Sequence, residues 1–275
     1  MRNLVHRYPT LTFFFLTYCL TWSVALPLLF SKRGWIDLYI PHALEGLAAF
    51  GPFAAALICT YFLFGRKGIR DFFLSCINWR VGKIWTSFVV LSPFFVLITA
   101  LILTPTNDLS HTASKIFEFS LNIAFLELII FGSLFQGVGE EPGWRGFSLP
   151  RLRERFGSIV STLLLFPVWL FWHIPMFLSR PEFNFSAWLG FSVGIFSATI
   201  ILTLIYDATE SIFMAILWHV LINFTRGIAL AVSTSAFLMF GQVITVAASF
   251  IMLFWLARNA GYLPKYLFQK DKSTR

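Results

Sequence analysis

At 275 residues, with 57% hydrophobic, 19% aromatic and 12% charged residues, the chain lies outside the range of water-soluble domains, which are about a quarter charged. Its 34 Phe and sparse charge exclude a soluble enzyme, a disordered chain and a nucleic-acid binder. The formal net charge of +8 sits in the gaps between apolar runs, where membrane topology places basic residues, so it reports orientation and not a nucleic-acid partner.

A transmembrane helix needs about 20 mainly apolar residues. Eight stretches qualify, at roughly 11–30, 41–64, 84–104, 118–140, 160–178, 186–206, 211–231 and 236–257. The expected fold is an all-α membrane protein, a bundle of about eight transmembrane helices. Leu28, Leu29 and Phe30 stand where a signal peptidase would need small residues, so the first stretch is expected to remain as a span. Sixteen of the 21 Lys and Arg fall on one side of these spans, which predicts both termini in the cytoplasm.

Between the fourth and fifth spans, Leu149-Pro150-Arg151-Leu152-Arg153-Glu154-Arg155-Phe156 is a short basic amphipathic segment expected in the cytoplasmic interface. Gly190 and Gly194 form GxxxG, and Ala48, Ala49, Gly51, Ala54, Ala55 and Ala56 line the second span; both read as close-packing signals. Trp35, Trp79, Trp85, Trp188 and Trp255, near span ends, fit an aromatic belt. Cys19, Cys59 and Cys76 are far apart and form no CxxC pair, so neither a disulfide framework nor a thiolate zinc site is indicated. No repeat or extramembrane domain is visible, and residues 1–275 read as one polytopic domain.

Ionisable groups at bilayer depth cost about 2.5–3.5 kcal/mol each on insertion scales and mark functional sites. Here they are few. Glu140 and Glu141 end the fourth span, His173 lies inside the fifth, and His219 with Asn223 lies inside the seventh. His219 and Asn223 are i,i+4 neighbours on one helix face, so Asn223 can orient His219 or share its ligand. Trp169 and His173 share that spacing, which places an aromatic wall beside the imidazole. A rise of 1.5 Å per residue puts both histidines roughly 15 Å deep.

Adjacent helical residues diverge by about 100°, so Glu140 and Glu141 face one small site only if the helix breaks, and Pro142 predicts such a break. Glu140 is therefore assigned to chemistry and Glu141 to a clamp with Arg145, with Gly132, Gly137 and Gly139 letting the segment bend inward. Glu127 faces elsewhere, as a structural group or a partner behind the site. Arg226, two turns beyond His219, reads as a helix-end charge.

A carboxylate with two imidazoles and an amide, enclosed by apolar helices, activates water and stabilises an oxyanion, and amide hydrolysis is the natural reaction. No HExxH helix, no GxSxG elbow and no second aspartate in a GxGD setting supports another intramembrane hydrolase class.

These residues carry a family resemblance. Glu140-Glu141-Pro142-Gly143-Trp144-Arg145 followed by Gly146-Phe147 resembles the EExxxR motif of the CPBP family, the CAAX prenyl endopeptidases and bacteriocin-processing proteins also called Abi-type. His173 fits the family's FxxxH motif and His219 with Asn223 its HxxxN motif, with Trp169 in place of the expected Phe; the motif core spans about 118–232. The resemblance implies an eight-helix intramembrane endopeptidase. Glu140 would polarise water, and His173, His219 and Asn223 would bind the oxyanion or a metal, with His173, His219 and Glu140 as the candidate zinc ligands. Three protein ligands plus water would suit catalytic zinc but would leave Glu141 as base. A metal-free glutamate mechanism, which keeps Glu141 for Arg145, is favoured. The expected setting is a prokaryotic plasma membrane, and the expected partners are the bilayer and a membrane-associated or lipidated peptide or protein. Two rival readings are a non-catalytic immunity or scaffold protein of the same fold, and a proton-relaying transporter.

Overall fold

In the computed structural model, which describes residues 1–40, 43–105, 114–115, 117–118, 122–180 and 184–259, the described residues form helices and connecting turns and no strand. In chain order these are α1 (Arg2–Arg7), α2 (Pro9–Lys32), α3 (Ala43–Ala48), α4 (Gly51–Cys76), α5 (Lys83–Leu103), α6 (Ile123–Gly143), a π-helical turn (Trp144–Ser148), α7 (Leu149–Trp172), α8 (Ile174–Leu178), α9 (Phe185–Thr209), α10 (Ile212–Val232) and α11 (Thr234–Asn259). Backbone groups in hydrocarbon must be satisfied within their own segment, and chains this apolar meet that demand by forming helices.

Among the described residues, seven helical runs are long and apolar enough to span a membrane. One is a continuous run from Ile129 to Trp172 that holds the expected fourth and fifth spans together. No loop separates them. Instead the backbone turns at Gly157 (φ 73, ψ 172), a conformation that L side chains rarely adopt. The second span turns the same way at Gly65 (φ 64, ψ −155). A Cβ at either glycine would meet nothing within 4 Å, so conformation and not space requires glycine at both.

Helix α10 sits centrally, against α6, α5 and α11, while α4 packs between α2 and α6. Its start is set by Ser211, whose hydroxyl accepts from Met214 N–H at 3.2 Å, directly after left-handed Glu210 (φ 51) ends α9. Helix α2 pins the end of α7. Tyr18 donates to the Val168 carbonyl at 2.6 Å and Trp22 to the Trp172 carbonyl at 3.1 Å.

The alanine run of the second span packs as expected, with Ala48, Ala49, Ala55 and Ala56 buried. The GxxxG pair does not: a Cβ at Gly190 or Gly194 would meet nothing within 4 Å, so that face of α9 closes no helix contact. Of the expected aromatic belt, Trp35 and Trp79 are exposed, whereas Trp255 is buried in the bundle.

Candidate active site

Three helices and the π turn converge on one buried cluster of polar side chains. Helix α6 supplies Gln136, Glu140 and Glu141; the π turn supplies Arg145; α7 supplies Trp169 and, at its C-cap, His173; α10 supplies His219 and Asn223. Glycine spacing fixes the rotation of α6. A Cβ at Gly137 would lie 2.6 Å from Val220 Cγ2 and 3.0 Å from the Ile216 carbonyl, so this face lies directly on α10. On another face, a Cβ at Gly139 would lie 2.5 Å from the Ala49 carbonyl, and one at Gly143 2.6 Å from Pro52. The expectation that Gly132, Gly137 and Gly139 bend the helix is corrected. Gly137 and Gly139 let neighbouring backbones approach, and Gly132 touches nothing.

The expected break at Pro142 is also corrected, since α6 continues through it to Gly143 and then widens into the π turn. Proline removes one i→i−4 hydrogen bond, but the close seats of Gly139 and Gly143 hold the helix axis, and the wider turn takes up the distortion. Glu140 (3% exposed) and Glu141 (0% exposed) are both buried. They keep their 100° divergence by taking different partners.

Glu141 Oε1 accepts from Arg145 Nη1 at 2.9 Å and from His219 Nδ1 at 2.7 Å, so one oxygen joins the π turn to α10. Glu140 Oε2 accepts from the Trp169 indole N–H at 2.7 Å. Trp169 then closes the cluster: Arg145 Cζ lies 4.3 Å from its ring centroid, and the His219 ring meets it edge-on with centroids 5.7 Å apart. The expected aromatic wall is thus also a hydrogen-bond donor, a role that phenylalanine cannot fill.

Both imidazoles carry a proton on Nδ1. His173 Nδ1 lies 2.7 Å from the Trp169 carbonyl, which only accepts, so Nδ1 carries the proton. The same holds for His219 Nδ1 against the Glu141 carboxylate. Nε2 of each makes no hydrogen bond within the described residues. The rings of Trp172 and Phe191 flank His173 at 4.6 and 5.1 Å.

Asn223 does not orient His219. Its Nδ2 donates to Gln136 Oε1 at 2.6 Å, which corrects the expected pairing. Gln136 escaped the sequence reading. It is an amide in an apolar run four residues before Glu140, and that i,i+4 spacing was the available signal. Glu127 is exposed and takes no part in the cluster.

Among the described residues no three His, Cys, Asp or Glu side chains converge as a metal-ligand set, and one Glu140 oxygen is taken by an N–H donor.

Comparison with known proteins finds a likeness that covers this cluster. Residues 122–225, the segment that carries the polar groups of the cluster, match the family model described as Type II CAAX prenyl endopeptidase Rce1-like. Over 252 residues the chain is 27% identical to CAAX prenyl protease 2 of Methanococcus maripaludis, covering 88% of this chain and 91% of that protein. With an apolar helical bundle around the matched segment, the chain is similar to the Rce1-like CAAX prenyl endopeptidases, and these matches support an intramembrane protease.

Proposed function

We propose that the protein hydrolyses a peptide bond near the C-terminus of a membrane-associated, lipidated peptide or protein, with water activated by Glu140 and without a metal. The observation that carries this reading is the division of labour between the two carboxylates. Glu141 is occupied by Arg145 and His219 through Oε1, and its Oε2 is fully buried, whereas Glu140 is held at Oε2 by Trp169 alone and keeps Oε1 to take a proton.

In this mechanism Glu140 removes a proton from water as it attacks the scissile carbonyl. His219, protonated and paired with Glu141, donates Nε2–H to the developing oxyanion. Asn223 has a second amide hydrogen beyond its bond to Gln136 and serves as the other donor. Arg145 takes no proton; it holds Glu141 in place. His173, neutral with Nε2 unengaged, receives the proton from Glu140 and passes it to the leaving amine. The name of the archaeal relative makes a prenylated CAAX peptide the first substrate to assay. The Lys and Arg asymmetry supports a prokaryotic plasma membrane with both termini in the cytoplasm.

The test is cleavage of a farnesylated CAAX reporter and a membrane-peptide library by reconstituted wild type and Glu140→Gln, with and without a zinc chelator. Wild type is expected to cleave with or without chelator, and Glu140→Gln to be inactive at unchanged thermal stability. Full activity in Glu140→Gln overturns the assignment, and chelator-sensitive cleavage with bound zinc overturns the metal-free mechanism. Equal peptide binding without cleavage by either protein would make the scaffold reading the correct one.

A further inference from the structure

Two basic segments that the reaction leaves unused meet at one end of the bundle. Beyond Gly65 the second half of α4 carries Arg66, Lys67, Arg70 and Asp71; before Gly157 the first half of α7 carries Arg151, Arg153 and Arg155. Exposed Phe73, Leu74 and Ile77 stand beside the first set and exposed Phe156 beside the second. Mixed exposure of apolar and basic side chains marks a segment lying in the headgroup region. A cavity of about 480 Å³ opens between the two segments, and none of the groups around Glu140 lines it.

The walls of this cavity differ in chemistry. Phe64 and Phe72 form an apolar side, and Lys67, Asp71 and Arg151 are the charged groups. Arg151 is held in place: Nη1 donates to the Phe147 carbonyl at 2.7 Å and Cζ lies 3.7 Å from the Phe147 ring centroid, while its remaining N–H groups make no hydrogen bond among the described residues. Lys67 and Asp71 are four residues apart on one face yet form no ion pair. Two cations and one carboxylate leave a net charge of +1, which one phosphodiester neutralises. The carboxylate adds an acceptor for a hydroxyl donor.

We infer that this cavity binds one glycerophospholipid with a singly anionic, hydroxyl-bearing headgroup, of phosphatidylglycerol chemistry. Its phosphate is held by Lys67 and Arg151, a headgroup hydroxyl donates to Asp71, and an acyl chain lies along Phe64 and Phe72. Basic cavities between spanning helices at a membrane face are suited to such headgroups. Gly146 and Phe147 of the π turn form its floor, next to Arg145, so the lipid braces the turn that carries the Glu141 clamp.

The test compares thermal unfolding of delipidated protein in nanodiscs of phosphatidylcholine alone, or doped with phosphatidylglycerol or phosphatidylmethanol, which has the same charge without the hydroxyls. Soluble glycerol phosphate is a further arm. Wild type and Arg70→Gln, which alters a basic residue outside the cavity, are expected to gain several degrees in Tm from phosphatidylglycerol and less from phosphatidylmethanol. Lys67→Gln is expected to lose most of the gain, and Asp71→Asn the difference between the two anionic lipids. Arg151→Gln should match Lys67→Gln; if it fails to fold, Lys67→Gln alone carries the test. An undiminished gain in Lys67→Gln, an equal loss in Arg70→Gln, or the same gain from glycerol phosphate overturns the inference.

Discussion

Replacing Trp169 with Phe removes one hydrogen bond from Glu140 and leaves an aromatic ring in its place. The bond is 2.7 Å long and joins an indole N–H to a carboxylate at a residue only 2% exposed. Bonds to charged groups contribute about 1.5–3 kcal/mol, and each 1.36 kcal/mol in a barrier is tenfold in rate, so kcat should fall roughly 10- to 150-fold if the bond positions the base for attack. KM should stay near the wild-type value, because Trp169 acts through Glu140. The Arg145 guanidinium, 4.3 Å from the ring centroid, still finds a π face, although a weaker one. Steady-state cleavage of the reporter in proteoliposomes, with unfolding followed in parallel, measures the split. Activity within twofold of wild type would refute the positioning role, and a raised KM at unchanged kcat would move Trp169 into substrate binding.

Arg145→Met should destabilise the protein by about 3–5 kcal/mol, because it strands a fully buried Glu141 carboxylate; the double variant with Glu141→Gln should recover part of that loss in thermal unfolding. Gly137→Ala should cut activity more than stability, since its Cβ would enter Val220 and press α10, with His219, away from Glu141; Gly132→Ala, which meets nothing, should cost no stability and serves as the control. Gln136→Ala should lower kcat by freeing Asn223 to rotate, with Tm changed by only a few degrees, and a wild-type rate would show that Asn223 needs no such partner.

The spans were legible because apolar length alone specifies them, and the site was legible as three separated motifs. What the motifs touch was not. Periodicity gives the angle between Glu140 and Glu141 but not the partners standing at those two angles, which depend on how α6, α7 and α10 pack. The 100° divergence is present, yet both carboxylates serve one cluster because Trp169 stacks under Arg145 and against His219, so the two directions close on each other. Pro142 was read by its local preference, and tertiary seating of Gly139 and Gly143 overrode it. The absence of a loop between the fourth and fifth spans was hidden for a related reason. A π turn has no composition of its own, and polar residues at 140–155 look the same in a loop as in a buried helix.

The helical stretch from Ile123 through the π turn to the backbone turn at Gly157 also bears on which peptides a protease of this fold spares. The backbone around Glu140 is helical, and a nucleophile reaches a carbonyl carbon only when the chain is extended and the carbonyl is open to donors. The protein's own segments beside Glu140 are thereby in a conformation that resists attack. A substrate entering as a helix would be equally resistant, so cleavage is to be expected at a stretch already unwound, such as a free C-terminal tail at the membrane surface.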